Sequence, residues 1–192
     1  TLRKLWDAFI PQYARKPLLI VLGWNCAVYF LTKLLIPAER YHYLASAFDD
    51  RLPFVPAFIF IYVLAFAQWG IGYIIIARDS RERCYRFLSG ELIAKTLCLA
   101  CYLIYPTAIR HPDFAVTGPA TWLTAVVFLC DTPAINLFPS LHCLASWFCF
   151  RGSIGLKRMP RWYTWFQLGF TLLVCAAVLL VKQHVWPDVP AG

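Results

Sequence analysis

FVPAFIFIYVLAFAQWGIGYIIIA, residues 54–77, contains no Asp, Glu, Lys, Arg or His. As a helix rising about 1.5 Å per residue, this stretch is long enough to cross the roughly 30 Å hydrocarbon core of a bilayer. Pro53 and Pro56 mark its start, where proline is tolerated in a first helical turn. It predicts a transmembrane helix, and the rest of the chain reads as its neighbours. Before it, Pro17–Ile36 forms a first apolar run broken by Asn25 and by Lys33, which can snorkel near the end. After it, Phe87–Pro106 predicts a third span, Pro139 or Ser140 to Leu156 a fourth, and Trp162–Val181 a fifth. Glu91 and Lys95 stand four apart within the third, in the favourable order for a helical ion pair.

Composition fixes the class. Hydrophobic residues make up 60% of the 192 and mean hydropathy is +0.60, against roughly 45–50% apolar content in soluble domains. Spans this closely spaced leave no room for a soluble domain, so residues 1–192 are expected to form one membrane-embedded, all-α, multi-span bundle. Lys182–Gly192 closes the chain where a further span would begin. The expected architecture is therefore a six-helix type with its sixth helix missing. The chain also starts without Met, so its natural start is expected to lie elsewhere.

The formal charge of +8 reads as loop charge that sets orientation and meets anionic lipid. Membrane lipids are the expected surroundings, and nucleic acid is not an expected partner. Of the eight cysteines, Cys26, Cys98, Cys101, Cys143, Cys149 and Cys175 lie in apolar runs and read as small hydrophobes. The Cys98–Cys101 spacing falls inside a span and is read as structural, without a metal.

Residues 1–16 mix Arg3, Lys4, Arg15 and Lys16 with Leu5, Trp6, Phe9 and Ile10, which suits a short amphipathic segment at the membrane surface. Pro37–Pro53 is a loop of nearly balanced charge, whose Tyr41 and Tyr43 fit the headgroup belt. Arg78, Arg81, Arg83 and Arg86 crowd the next loop, and Lys157, Arg158 and Arg161 another. Between the third and fourth spans, Gly118-Pro119 opens a stretch too short to cross, so Thr121–Cys130 is expected to be a re-entrant or interfacial helix. Alternation puts the basic segments on one side, which the positive-inside rule assigns to the cytoplasm. The expected location is a plasma or inner membrane, crossed several times. The other side then receives Arg110–Pro112, Asn136–His142 and Lys182–Asp188.

Those last two segments carry the chemistry. Each places a histidine at a span boundary, where ionisable groups are functional candidates by default. Phe138-Pro139-Ser140-Leu141-His142 resembles the Pro-Ser-x-His motif of the type 2 phosphatidic acid phosphatase superfamily. Lys182-Gln183-His184, with Asp188 and then Ala191-Gly192, resembles its His-x-x-x-Asp element. Asp131-Thr132-Pro133 and Asn136 are similar to a branch related to sphingolipid synthases. The resemblance covers roughly residues 49–192.

The superfamily implies metal-independent phosphotransfer without a cofactor. Carried over by position, His184 is the nucleophile, Asp188 orients it, and His142 is the general acid. Histidine suits both jobs, since it titrates near neutral pH and can attack when neutral or donate as a cation. Asp188 would share a face with His184 if the segment is helical, and Pro187 and Pro190 then require that helix to start close to His184.

Two positions depart from the family pattern. Arg110-His111-Pro112 has no lysine nearer than Lys95, and Ala177 and Val178 stand where a Ser-Arg pair is expected. Arg110, Lys182 and Ser140 are the candidates for holding phosphate, with Asp131 and Asn136 in support; His42 and His111 read as loop residues. The implied activity is a lipid phosphatase acting on a phosphomonoester or pyrophosphate of an amphiphile from the bilayer, at the extracytoplasmic face. The alternatives are a transferase of the sphingolipid synthase type and a non-enzymatic transporter or binder of anionic lipid.

Overall fold

The computed structural model describes residues 9–192 as a helical bundle. Helix α1 (Gln12–Leu35) leads to a loop holding strand β1 (His42–Tyr43) and the short α2 (Ala47–Arg51). A 3-10 turn (Pro56–Phe58) runs directly into α3 (Ile59–Asp79), and α4 (Arg81–Ile104) follows after the single residue Ser80. Strand β2 (Thr107–Ala108), α5 (Pro119–Asp131), α6 (Leu141–Ser153), α7 (Arg161–Leu180) and α8 (Asp188–Ala191) complete the described chain.

Among the described residues, four segments are long and apolar enough to cross a membrane: Gln12–Leu35, Pro56–Asp79, Arg81–Ile104 and Arg161–Leu180. The expected fourth span is shorter than the sequence implies. Its helix, α6, has 13 residues and so a length of about 20 Å. It still joins the two ends of the bundle. Its start lies beside the 182–192 tail, through Ser140 N–H donating to the Asp188 carbonyl at 3.1 Å. Just beyond its other end, Arg83 donates to the carbonyls of Ile154 and Gly155 at 2.8 and 2.9 Å. The described chain therefore passes between the ends five times.

Three further boundaries differ from expectation. α1 begins five residues before Pro17, which lies inside the helix and cannot donate to the Tyr13 carbonyl. Residues 1–8 of the expected amphipathic segment lie outside the described residues, and Gln12–Lys16 belong to α1. The basic residues 81–86, read as a loop, form the opening turns of α4, because the Ser80 hydroxyl accepts from Arg83 N–H at 3.1 Å and caps the helix there. Residues 182–187 are turns rather than helix, so the segment after α7 holds only the four-residue α8 and no sixth span. The fold also includes one element outside an all-α description. β1 and β2 pair in parallel, His42 with Thr107 and Tyr43 with Ala108, and Ala108 bridges to Ile135.

Close helix contact in the bundle uses small residues, as is common where lipid gives no hydrophobic drive between helices. A Cβ on Gly72 would meet Cys149 Sγ at 2.9 Å, and one on Gly152 would meet Phe87 at 2.9 Å. These approaches seat α6 against α3 and α4. Polar side chains add bridges from α3: Gln68 donates to Gln167 of α7 at 2.8 Å, and Trp69 Nε1 to Ser146 Oγ of α6 at 3.0 Å. The expected Glu91–Lys95 pair forms at 2.7 Å with both side chains buried, and Tyr73 donates to the same carboxylate.

The loops gather into two opposite clusters. At one end Lys157 N–H donates to Asp79 at 2.7 Å and Tyr13 to the Ala77 carbonyl at 3.0 Å, among the arginines of residues 78–86 and 151–161. At the other end Val55 N–H donates to the Leu180 carbonyl at 2.8 Å and Phe138 N–H to Thr107 Oγ1 at 2.9 Å. Both histidine segments lie at this second end.

Candidate active site

The end of α7 sets the site. Lys182 N–H donates to the Leu179 carbonyl at 3.1 Å and Gln183 N–H to the Val178 carbonyl at 3.0 Å. This is the paired pattern of a Schellman helix end, which requires a left-handed residue after the cap. Glycine usually takes that place, but here it is Lys182, with φ 57°. Such a conformation costs a side-chain-bearing residue about 1–3 kcal/mol. Its ammonium helps offset that by donating to the Asp49 and Leu52 carbonyls, each at 2.7 Å.

The turn delivers His184 next. His184 Nδ1 and Asp188 Oδ2 are 3.0 Å apart, with Asp188 fully buried. The pairing does not arise on a helix, as the sequence spacing suggests. Asp188 Oδ2 also accepts from Val185 N–H at 3.0 Å, so the carboxylate folds back over the turn that precedes α8. With Nδ1 so engaged, Nε2 is the nitrogen left for chemistry.

His142, on the first turn of α6, lies beside His184 with ring centroids 6.2 Å apart. An aromatic cage orients it. Tyr62 stacks on the ring at 4.2 Å, while Trp69 and Phe66 meet it nearly edge-on at 5.0 and 5.5 Å. His142 Nε2 is buried with no hydrogen-bond partner. Ser140 is fully buried; its hydroxyl caps α6 by accepting from Cys143 N–H at 3.4 Å. Tyr102 donates to the neighbouring Pro139 carbonyl at 2.5 Å. A Cβ on Gly192 would run into the Ser140 backbone, so the tail and the start of α6 are packed as one unit.

A cavity of about 350 Å³ opens over this unit, lined by Arg110, Lys182, His184, Asp49, Asp50 and Pro112 among others. Arg110 also lies over the Tyr43 ring at 5.1 Å. Lys182 has one ammonium proton beyond its two carbonyl bonds. Asp49 is a site residue that motif reading overlooks. Its Oδ1 accepts from Trp186 N–H at 2.7 Å, and its Oδ2 from the Ser46 backbone and hydroxyl at 2.9 and 2.7 Å. The Ser46-x-x-Asp49 spacing signals a local cap, but its tie to Trp186 spans 137 residues. His142 is not among the residues lining this cavity.

Asp131 and Asn136 form a separate group. Asp131 Oδ1 accepts from Tyr29 at 2.6 Å and Lys33 at 3.0 Å, so Lys33 pairs inward rather than only snorkelling. Asn136, left-handed at φ 70°, donates to the Tyr29 carbonyl at 3.2 Å. His111 stacks on Phe128 at 3.7 Å; burial lowers its pKa from the ordinary value, against the pull of Asp131. The eight cysteines are free, and no group of three or more His, Cys, Asp or Glu residues suited to a metal forms among the described residues.

The double role of Lys182 can be separated. Lys182→Gly should relieve the left-handed strain while removing the ammonium, and Lys182→Ala should remove the ammonium and keep the strain. If Lys182 holds phosphate, as the resemblance implies, both should weaken phosphate binding by about ten-fold or more for a lost charge-assisted bond. Only the alanine variant should lose further stability, read by unfolding midpoints beside phosphate-analogue titrations. Equal analogue affinity in wild type and the glycine variant would remove Lys182 from the grip.

Comparison of the chain with protein-family models, curated proteins and solved structures found no match.

Proposed function

We propose that the protein is a lipid phosphatase or closely related phosphotransferase that works through a phosphohistidine at His184. The observation that carries this reading is the buried Asp188–His184 pair at 3.0 Å with the His142 ring 6.2 Å from His184. A base held by a carboxylate, beside a second titratable ring, is the arrangement expected of nucleophile and general acid. The motif resemblance around Pro139–His142 and His184–Asp188 supports the same roles.

In this mechanism the neutral His184 Nε2 attacks phosphorus, while Asp188 holds the Nδ1 proton and balances the charge left on the ring. The P–O bond to the alcohol breaks as the P–N bond forms, and the leaving oxygen takes a proton from His142. His142, now neutral, accepts a proton from water as that water attacks phosphorus and breaks the P–N bond. Arg110 and Lys182 would stabilise charge on the phosphoryl oxygens, the main task in phosphoryl transfer. The apolar helices around the site favour an amphiphilic substrate arriving from the bilayer.

The transferase form replaces water with a lipid hydroxyl. Ala177 and Val178, at the positions where the resemblance expects Ser-Arg, are fully buried, so the phosphate grip differs from the plain phosphatase pattern. Full-length protein incubated with labelled phosphatidates and polyprenyl pyrophosphates, with and without alcohol acceptors, tests the reading. Release of phosphate or its transfer to the acceptor is expected, and a chelator should leave the rate unchanged. Folded protein that transforms none of these substrates would overturn the proposal.

The site is further proposed to face the extracytoplasmic side, because the basic loops lie at the opposite end. In a cysteine-free background, a cysteine at exposed Asp113 should react with an impermeant thiol reagent in intact cells, and one at exposed Lys157 should not. The reverse pattern would invert the orientation.

A further inference from the structure

A second cavity, of about 530 Å³, forms a slot between α1 and α3 that continues from the candidate site. Phe66 and Trp69 wall one end of it, and the same two rings meet the His142 ring at 5.5 and 5.0 Å. Trp69 is fixed there by its bond to Ser146 at 3.0 Å. Phe66 is 55% exposed, and exposed side chains change rotamer readily. At the opposite end Arg15 Nε donates to the Ile10 carbonyl at 3.2 Å, and both residues line the slot, so bonded polar groups close it. Leu18, Leu22 and Ile74 give apolar walls between, and Lys95 is spent on Glu91 at 2.7 Å. Phe66 and Ile74 stand eight residues apart on α3, about 12 Å along its axis. The cavity over His184 shares no lining residue with this slot and carries Arg110 and Lys182. The two spaces divide as the head and tail of an amphiphile would.

In the phosphotransfer mechanism His142 protonates the leaving group, and the leaving group carries the lipid chain. The chain therefore departs on the His142 side, where the two rings border apolar space. We propose, on the strength of that mechanism, that the slot receives the substrate's hydrocarbon chain and that its closed end sets the longest chain accepted. Within the slot each methylene gains contact with fixed apolar walls. A longer chain meets the Arg15–Ile10 end and has to fold back or leave.

The test is a chain-length profile. Full-length protein in phosphatidylcholine nanodiscs is assayed against n-alkyl phosphates from hexyl to docosyl, each over the same range of mole fraction. In the parent, kcat/KM should hold up to one length and fall beyond it. Gly70 lines the slot just past the rings, and a Cβ there meets nothing within 4 Å. Gly70→Phe should therefore fill the slot without moving the helix. The fall should shift to shorter chains, and kcat/KM for the longest chain the parent accepts should drop about ten-fold or more relative to hexyl phosphate, since filled space resists further packing. Ile74 lies four residues farther along, about 6 Å, so Ile74→Trp should shift the fall less. A packing defect lowers every length together and cannot produce that order. Folded variants that lower all lengths alike, or leave the profile unmoved, overturn the proposal while the turnover itself upholds the catalytic reading. A folded parent that consumes no member of the series also overturns the proposal, and the phosphatidate and polyprenyl pyrophosphate assays then decide the catalytic reading by themselves.

Discussion

His184→Ala is expected to leave no measurable turnover on any phosphoester, however good its leaving group. The reason is local. Asp188 engages Nδ1 at 3.0 Å, which leaves Nε2 of this ring for the proposed attack, and the His142 ring is held in its own aromatic cage. Removing a covalent nucleophile should lower the rate by at least about 10³-fold, down to what positioning and charge stabilisation alone supply. Rapidly quenched wild-type protein should carry acid-labile phosphate from a labelled substrate, and the variant none. Asp188→Asn should slow both leaving-group classes, because Oδ2 fixes the ring and the Val185 N–H together. A His184→Ala variant retaining a tenth of wild-type turnover would remove His184 from the nucleophile's role.

His142→Ala should divide substrates by their leaving groups. Protonating a poor alkoxide contributes typically about 10²–10⁴-fold, so a lipid phosphate should lose activity within that range. A nitrophenyl phosphate expels a weakly basic phenolate and needs little of this help; its loss should stay below about ten-fold. Removing the ring also empties the space among Tyr62, Phe66 and Trp69, which could loosen α3 against α6. Detergent chromatography and an unfolding midpoint separate that effect, because a packing defect lowers both substrates alike. Equal losses on the two substrates in well-folded protein would mean His142 is a packing residue rather than the acid.

Much of the fold was legible in the sequence because bilayer crossing is written locally. An apolar run such as Phe54–Ala77 must satisfy its own backbone as a helix, and the four long helices fall on four of the five expected runs. The boundaries were less legible. Pro17 reads as a start, but the helix begins before it. Arg81–Arg86 read as a loop, but the Ser80 cap makes them helical. α6 reads as long as its apolar stretch, but the bundle needs only 13 helical residues to join its ends.

The same division runs through the candidate site. The residue types at Pro139–His142 and His184–Asp188 pointed to one chemistry, and the spacing paired His184 with Asp188. The reason for the pairing was different: a turn fixed by Asp188's bond to Val185 brings them together, not a helical face. The Lys182 ammonium's bond to the Leu52 carbonyl, Asp49's hold on Trp186 and the Lys33–Asp131 pair left no mark that local pattern could read. Their partners lie at sequence separations of 130, 137 and 98 residues. Sequence by itself determined the helices, their alternation and the kinds of groups gathered at one end, because hydropathy and charge act along the chain. Which groups face one another was decided only by the tertiary structure, because a contact across the bundle depends on how every intervening helix packs.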